Sequence, residues 1–201
     1  MRRSFLFLLV IIHISSFAQK SNMFSAKNAP KWVIFLADKT KPVTSVFEIN
    51  NGILKVGKAC AGYIRTSKVY KNYQLQLEWR WTSKAGNSGV LLHIQQPDSV
   101  WPRCFQVQQK ADAAGDIICM NGLWASECTD KVKFTIPKMQ TSNEKPIGEW
   151  NSMKVICKYK TLTVYVNDVL QNKATGLTQS KGYIGFQAEG REMEFRNVMV
   201  K

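Results

Sequence analysis

Histidine is scarce in this 201-residue chain, and no group of cysteines and histidines has the spacing of a zinc site. The two histidines are His13 and His93, and the five cysteines are Cys60, Cys104, Cys119, Cys128 and Cys157. An odd count leaves at least one thiol unpaired, while Cys119 and Cys128 flank a short glycine-containing segment that they could close. No cofactor is predicted. Oxygen ligands for Ca²⁺ can be dispersed over loops, so the sequence leaves a loop-bound calcium ion open.

Long apolar runs are absent after the N-terminus. Residues 1–3 read Met-Arg-Arg, residues 5–14 are mainly apolar, and residues 15–18 are Ser-Ser-Phe-Ala, a pattern typical of a secretory signal peptide. The run is shorter than the roughly 20 residues of a membrane span. We therefore expect a signal peptide at 1–18, a lead-in at 19–31 and one domain at 32–201, in a periplasmic or extracellular protein without a membrane span.

Acidic residues are half as frequent as basic ones. The formal net charge is +14, and it is +12 without Arg2 and Arg3. A basic surface of this size raises the question of nucleic acids or acidic glycans as partners. The lysines are scattered singly instead of forming a tract, which favours a solvated basic surface, and the export signal disfavours nucleic acid. We predict no nucleic-acid partner.

Apolar and polar residues alternate over much of the chain, which predicts strands with one buried face. In residues 73–81 the odd positions are apolar and the even positions are Gln74, Gln76, Glu78 and Arg80. Similar alternation assigns Val90, Leu92 and Ile94 to the core and His93 to the opposite face. Core positions also alternate in 104–108, 153–157, 162–166 and 184–189. The last strand changes face near residues 196–197, as a bulge would require.

Turn residues separate these runs at 50–52, 86–89, 167–168 and 181–182. No segment after the N-terminus has a helical period of useful length. Residues 109–149 are too long for a simple loop, so we expect short strands and site-forming loops there. Many short strands with turns between them predict an antiparallel sandwich or barrel.

A series of motifs in fixed order points to one family. They are NGIL at 51–54, GYIRT at 62–66, YKNYQL at 70–75, EWRW at 78–81, GNSGV at 86–90, WPR at 101–103, QVQ at 106–108, GYIGFQ at 182–187 and EFRNV at 194–198. The series resembles the 3-keto-disaccharide hydrolase family over about residues 32–200. The resemblance implies an all-β, antiparallel two-sheet jelly-roll sandwich of the concanavalin A-like or glucanase type, often exported by sugar-degrading bacteria.

The resemblance also implies a reaction. The carbonyl of a 3-keto sugar acidifies the hydrogen on C2, and the glycosidic oxygen on C1 lies β to that carbonyl. Removal of the C2 proton, loss of the C1 oxygen and addition of water then give net hydrolysis. Such a site needs a base, a group that stabilises the enolate and help for the leaving group. It differs from the paired carboxylates of most glycosidases.

The predicted polar faces supply candidates for these roles. Glu78 and Arg80 are two residues apart on one strand and share a face. If the strands are adjacent, this face merges with those of the following residues into a concave platform: His93, Gln106, Gln108 and Gln187. Glu78 or His93 would be the base, Arg80 would stabilise the enolate, and the glutamines would hold sugar hydroxyls.

Loops add further candidates. Asp116 is a second possible acid, whereas Asn87, Trp101, Arg103 and Trp124 have side chains suited to contact a sugar. Each candidate also has a structural explanation. Glu78 and Arg80 would form an ion pair on a solvated sheet, and His93 would be a strand residue without a role. Asn87 and Asp116 would be turn residues, the tryptophans would pack against loops, and Arg103 would be a surface charge.

The sequence departs from the family at one strand. Relatives commonly have Glu two residues before Gln, where this chain has Gln106 and Gln108. An amide cannot act as a base, so the base lies elsewhere or the protein binds sugar without cleaving it. A non-catalytic carbohydrate-binding module is therefore the main alternative to an enzyme. A structural or interaction protein that uses its basic surface has the least support.

Overall fold

Alternating side chains fold into strands over most of the chain. The computed structural model describes residues 22–25 and 30–201, so the predicted signal peptide lies outside the described residues. The strands are β1 (Trp32–Leu36), β2 (Phe47–Asn50), β3 (Ile53–Val56), β4 (Gly62–Thr66), β5 (Tyr70–Lys71), β6 (Tyr73–Trp81), β7 (Gly89–Ile94), β8 (Phe105–Gln108), β9 (Ile117–Cys119), β10 (Thr135–Ile136), β11 (Asn151–Lys158), β12 (Thr161–Val166), β13 (Val169–Ala174), β14 (Lys181–Ala188) and β15 (Met193–Val200). A 3₁₀ turn occupies Val43–Ser45. Within the described ranges, no helix has the length and apolar character needed to cross a membrane.

The strands form two sheets, as the jelly-roll prediction requires. The front sheet has the order β1-β4-β14-β7-β8-β9-β10, with β5 paired to β14 at one end. The back sheet has the order β13-β12-β11-β6-β15-β3-β2. The strand pairings are antiparallel in both sheets. The two strands nearest the C-terminus, β14 and β15, lie inside the front and the back sheet respectively, not at an edge.

The core lies between the sheets and confirms most of the predicted alternation. In β6, the odd residues from Tyr73 to Trp81 are buried and the even ones are partly exposed. Phe105 and Val107 of β8, and Ile184 and Phe186 of β14, belong to the same core. This burial of apolar side chains is the main stabilising contribution to such a fold, at about 25 cal/mol per Å² of apolar surface.

Strand β7 departs from simple alternation at His93. Its pairing with β14 is irregular between Tyr183 and Gly185, and His93 has a φ of 54°. Gly182 makes room for this bulge, because a Cβ there would lie 2.3 Å from the backbone carbonyl carbon of His93. The extra residue reverses the faces beyond Leu92. The prediction that Ile94 faces the core and His93 the polar side is therefore wrong.

The loop between β6 and β7 carries the chain from one sheet to the other. Residues 86–89 follow β6 in the back sheet and lead into β7 in the front sheet. The Gly-Asn-Ser-Gly sequence is therefore a crossover between layers and not a hairpin turn. As a result, the polar face of β6 and the polar face of β8 are on opposite outer surfaces of the sandwich.

Other predicted features have mixed outcomes. The turns at Asn51-Gly52 and Asn167-Asp168 have positive φ at both residues, as tight hairpins require. Lys181 and Gly182 are part of β14 instead of a turn. The bulge predicted in the last strand is confirmed, because the pairing of β15 with β6 is irregular between Arg196 and Met199. Short strands β9 and β10 lie in the region 109–149, also as predicted.

Candidate functional site

Glu78 and Arg80 each form an ion pair with a residue of β15 on the outer face of the back sheet. The Nε of Arg196 donates to Glu78 Oε2 over 2.5 Å, and the Nε of Arg80 donates to Glu194 Oε2 over 2.8 Å. The ring of Trp150 lies under both guanidinium groups, 3.9 Å from Arg196 and 4.6 Å from Arg80. The expectation that Glu78 and Arg80 share a platform with the glutamines is wrong, because β6 belongs to the other sheet.

His93 is enclosed by aromatic residues of the core and is 1% exposed. Its ring makes edge contacts with Tyr73 and Phe105, at centroid distances of 5.8 and 6.2 Å. Nδ1 lies 3.2 Å from the carbonyl oxygen of Gln179, and the buried Nε2 has no hydrogen-bond partner among the residues that the structure describes. Burial lowers the pKa of His93 to about 4. The imidazole is therefore neutral near pH 7 and does not face the predicted platform.

Three glutamines form a buried cluster on the outer face of the front sheet. The Nε2 of Gln106 donates to Gln108 Oε1 over 2.7 Å and to Gln187 Oε1 over 3.2 Å. The hydroxyl of Ser88 donates to the carbonyl oxygen of Gln187. A Cβ at Gly89 would lie 2.5 Å from Gln106 Cγ, so glycine allows the glutamine to lie flat against β7. We call Gln106, Gln108 and Gln187 the glutamine cluster; the structure brings them together as predicted.

Glu189 lies at one end of the glutamine cluster. It is two residues beyond Gln187, and its carboxylate accepts a hydrogen bond from the side chain of Asn87, with Lys110 nearby. Burial raises the pKa of Glu189, although the Asn87 hydrogen bond and the charge of Lys110 oppose this shift. The buried Oδ1 of Asn87 has no hydrogen-bond partner within residues 22–25 and 30–201. A carboxylate with a raised pKa beside a cation and several amides is suited to move a proton.

A second carboxylate lies over the neighbouring strands. Asp98 accepts hydrogen bonds of 2.7 Å from Tyr63 Oη and from Nε and Nη2 of Arg65. Tyr183 supports the pair, since its ring centroid is 4.2 Å from the guanidinium carbon of Arg65. The hydrogen bond from Arg65 lowers the pKa of Asp98 to about 2. Burial and the Asp98 hydrogen bond raise the pKa of Tyr63.

Asp98 and Glu189 therefore have opposite electrostatic environments. Asp98 stays ionised near pH 7 and is fixed by its partners, whereas the pKa of Glu189 is raised by burial. Tyr63 is the cross-strand neighbour of Gln187, which connects the Asp98 network to the glutamine cluster. Two carboxylates with separated pKa values are a common arrangement in catalytic sites.

The loop candidates lie in several places. Asp116 Oδ1 accepts the backbone N–H of Lys138 over 2.7 Å, so its carboxylate anchors a loop. Trp101 is exposed, and its carbonyl oxygen accepts hydrogen bonds from Ser99 and Asn121. Arg103 is exposed.

Trp124 lines a cavity of about 350 Å³ with Met120 and Phe134. Ile118, another lining residue, is the direct register partner of Gln106. The Ile118 wall of the cavity therefore lies on the face of the glutamine cluster, one strand away, whereas Leu123 and Trp124 pack in or against the core between the sheets. Of the tryptophans predicted to contact sugar, Trp124 lines this cavity and Trp101 does not.

Sequence reasoning missed Glu189, Lys110 and the Asp98 network. Glu189 could have been found, because it shares strand parity with Gln187, as Lys110 does with Gln108. Asp98 could not, because it lies in a loop whose position depends on tertiary contacts with Tyr63 and Arg65.

Comparisons with known proteins agree with this architecture. The family described as 3-keto-alpha-glucoside-1,2-lyase-like domain matches residues 19–201. No curated protein matches the sequence. A proposed glycosyl hydrolase from Parabacteroides distasonis is similar in structure with a TM-score of 0.61 and 18% identity, covering 85% of this chain and 98% of its own.

Two further solved structures share the fold. The carbohydrate-binding module CBM66 from Bacillus subtilis has a TM-score of 0.62 and 13% identity, covering 86% of this chain and 96% of its own. A β-glucanase from Bacillus licheniformis has a TM-score of 0.59 and 10% identity, covering 89% of this chain and 95% of its own. At these identities the similarity establishes the jelly-roll fold, and it includes both a catalytic and a binding protein.

Proposed function

This chain belongs to the 3-keto-alpha-glucoside-1,2-lyase-like domain family, and from that membership we propose that it is an exported enzyme that cleaves 3-keto-glycosides. The single observation that carries the proposal is the position of Glu189, a half-buried carboxylate two residues beyond Gln187 at the end of the glutamine cluster. Family membership supplies the class of reaction, and the cluster supplies a surface for sugar hydroxyls. The N-terminal sequence pattern supports export.

In this mechanism Glu189 replaces Glu78 and His93 as the base. Its carboxylate removes the C2 proton, and the electrons of that C–H bond move into an enolate on the C3 oxygen. The ammonium group of Lys110 stabilises the negative charge. The enolate then returns its electrons, the C1–O bond breaks, and the glycosidic oxygen takes a proton as it leaves. Water adds to the resulting double bond to give the 3-keto sugar.

The glutamines position the substrate. An amide offers both a donor and an acceptor, as does a sugar hydroxyl. Gln106 is central, because its Nε2 contacts both Gln108 and Gln187. A bound hydroxyl would exchange with these internal hydrogen bonds, so binding replaces existing partners and leaves no buried amide unpaired.

One observation favours a binding module as the second candidate. Gln106 places an amide at the centre of the surface, and this amide is already satisfied by its neighbours. A preformed, uncharged cluster is sufficient to recognise a sugar without chemistry. The similarity to CBM66 shows only that the fold supports such a role.

The test is to incubate the purified protein with a 3-keto-disaccharide and separately with the unoxidised parent sugar, and to follow monosaccharide release. The proposal predicts release from the keto sugar alone. Binding without release from either sugar would establish the binding-module alternative. Release from both at similar rates would show conventional glycosidase chemistry instead of elimination.

The proposed export is tested by the position of the first residue of the mature protein. N-terminal sequencing of the protein recovered from its native host should give a first residue near position 19. A mature chain that still begins at Met1 would contradict export through a cleaved signal peptide.

A further inference from the structure

The cavity beside the glutamine cluster has an unusual lining for a sugar site. Its volume is about 350 Å³, and its walls include Ile118, Met120, Leu123, Trp124 and Phe134. None of the described residues that line it carries a carboxylate. Sugar-binding surfaces need polar groups that match the hydroxyls, whereas apolar and aromatic walls match a flat hydrophobic group.

The cavity adjoins the glutamine cluster at one residue, Ile118. Ile118 lies directly opposite Gln106 in the pairing of β8 with β9, and neighbouring strands are about 4.8 Å apart. Met120, on the same side, packs against the apolar floor formed by Leu91 and Cys104. A sugar ring held at Gln106 therefore lies within one ring's width of the cavity, which is the distance of a directly attached substituent.

The aromatic walls are held in a defined arrangement. The rings of Trp124 and Phe134 meet edge to face, with centroids 6.2 Å apart. The backbone N–H of Trp124 donates to Thr178 Oγ1 over 2.8 Å, which fixes the start of that wall. Phe134 has a φ of 53° and is 42% exposed. A bulky residue is rarely found in this left-handed conformation, and here it turns an aromatic side chain toward the opening of the cavity.

The rim adds a positive charge and an amide. Lys133 and Asn121 also line the cavity. An ammonium group at the edge of an aromatic pocket attracts the π-face of a flat ligand, and an amide can bind a phenolic hydroxyl. These groups suit an aromatic ring with polar substituents better than a second sugar.

We propose that this cavity binds the aromatic aglycone of a glycoside whose sugar lies on the glutamine cluster. The inference rests on the proposed function for the location of the sugar. It adds the substrate class, namely 3-keto-glycosides of aromatic alcohols. The aglycone is the part released when the C1–O bond breaks, so the cavity is the leaving-group side of the site.

A binding measurement tests the cavity independently of any turnover. Calorimetric titration with unoxidised 2-naphthyl β-glucoside should show saturable binding that is tighter than that of methyl β-glucoside. Trp124→Ala should weaken naphthyl glucoside binding about tenfold. Phe134→Asn, at an exposed position where Asn accepts positive φ, should weaken it without unfolding the protein. Tyr165→Ala, on the back sheet, is the matched aromatic control and should have no effect.

Equal affinity for the methyl and naphthyl glucosides, or no loss in either cavity variant, would overturn the proposal. Tight naphthyl binding without cleavage of any 3-keto sugar would support the cavity and refute the proposed enzyme activity. The two failures are therefore distinguishable.

A second test of the cavity compares the cleavage rates of two substrates. Benzyl and methyl 3-keto-glucosides have leaving alcohols of similar acidity, so a difference in kcat/KM reports binding of the ring and not its departure. The benzyl compound should have the higher kcat/KM by about tenfold, mainly through KM, and Trp124→Ala should remove most of this preference. Equal kcat/KM values in the unaltered protein would contradict an aromatic aglycone site.

Discussion

Gln106 on β8 donates a hydrogen bond to Gln187 on β14 across the intervening strand β7, with a distance of 3.2 Å. The contact is possible because Gly89 has no side chain on this face, where a Cβ would lie 2.5 Å from Gln106 Cγ. The glutamine cluster thus depends on a residue that contributes no functional group.

Gly89→Ala should displace Gln106 and lower the free energy of unfolding by about 1–3 kcal/mol, as expected when an extra carbon enters a closely packed site. Sugar affinity should fall as well. The double variant Gly89→Ala with Gln106→Ala removes the clash, so it should be more stable than the sum of the single effects implies. Denaturant unfolding of the four proteins measures this; strict additivity would contradict a direct contact.

Glu189→Gln should abolish cleavage of a 3-keto-glycoside while preserving its binding, with a loss in kcat of about 10²–10⁴. Because burial raises the pKa of Glu189 and the base must be ionised, kcat/KM should fall as the pH drops through that raised pKa. Glu78→Gln, which alters a carboxylate paired with Arg196 on the back sheet, is the control. A large loss in Glu78→Gln, or none in Glu189→Gln, would reject this assignment.

Asp98 should make the protein sensitive to strong acid. Its pKa of about 2 in the folded state lies below the ordinary value of 3.8, so its stabilising contribution is complete above the ordinary value and is lost as the pH falls toward 2. Asp98→Asn should lower the free energy of unfolding at pH 7 by about 1–2 kcal/mol, after allowance for partial exposure. Glu192→Gln, at an exposed pair with Lys58, should change stability much less.

His93 should produce a separate loss of stability in milder acid. The folded pKa is about 4 and the ordinary value is 6.5, so the unfolded chain takes up a proton first. Stability should therefore decline as the pH falls from 6.5 to 4. His93→Asn, which tolerates the positive φ, should remove this decline even if it is less stable throughout. Thermal unfolding of the unaltered protein and of His93→Asn should be compared from pH 7 to pH 4. If stability falls equally with pH in both, the titrating group is not His93.

Cys119 and Cys128 should form a disulfide only under prolonged oxidation, because burial raises the pKa of Cys119 to about 12 and leaves little of the reactive thiolate. The Cys128 thiol is close enough to contribute to the raised pKa of Cys119, and both residues are buried. Thiol–disulfide exchange with oxidised glutathione would join the two sulfurs and leave two reduced glutathione molecules. Mass spectrometry should show the loss of two hydrogen atoms from the peptide pair. Cys104→Ser should oxidise in the same way, whereas Cys128→Ser should not.

The alternation of apolar and polar residues predicted most of the strands and their buried faces, because this pattern is a property of the local sequence. The buried faces of β6, β8, β11, β12 and β14 follow directly from alternation. The sheet to which each strand belongs is a non-local property. The Gly-Asn-Ser-Gly loop is equally compatible with a hairpin and with a crossover, and this ambiguity led Glu78 and Arg80 to be placed beside Gln106.

The local sequence pattern also could not predict which face of β7 carries His93. Its left-handed backbone depends on the close approach of Gly182, which is distant in sequence. Two consecutive residues on one side of β7 cannot be inferred from a run of apolar residues. The glutamine cluster, by contrast, was predictable, because each of its members alternates with a core residue on its own strand.

The positions of β14 and β15 affect how the chain acquires its structure. Residues 181–188 separate β4 from β7, and residues 193–200 separate β6 from β3. A nascent chain that lacks these residues therefore has each sheet in two separate parts. Neither sheet is complete until residues 181–200 have been added, because these two strands pair with partners far away in the sequence. Removal of residues 181–200 should therefore divide both sheets at once, because each sheet would lose an interior strand and not an edge.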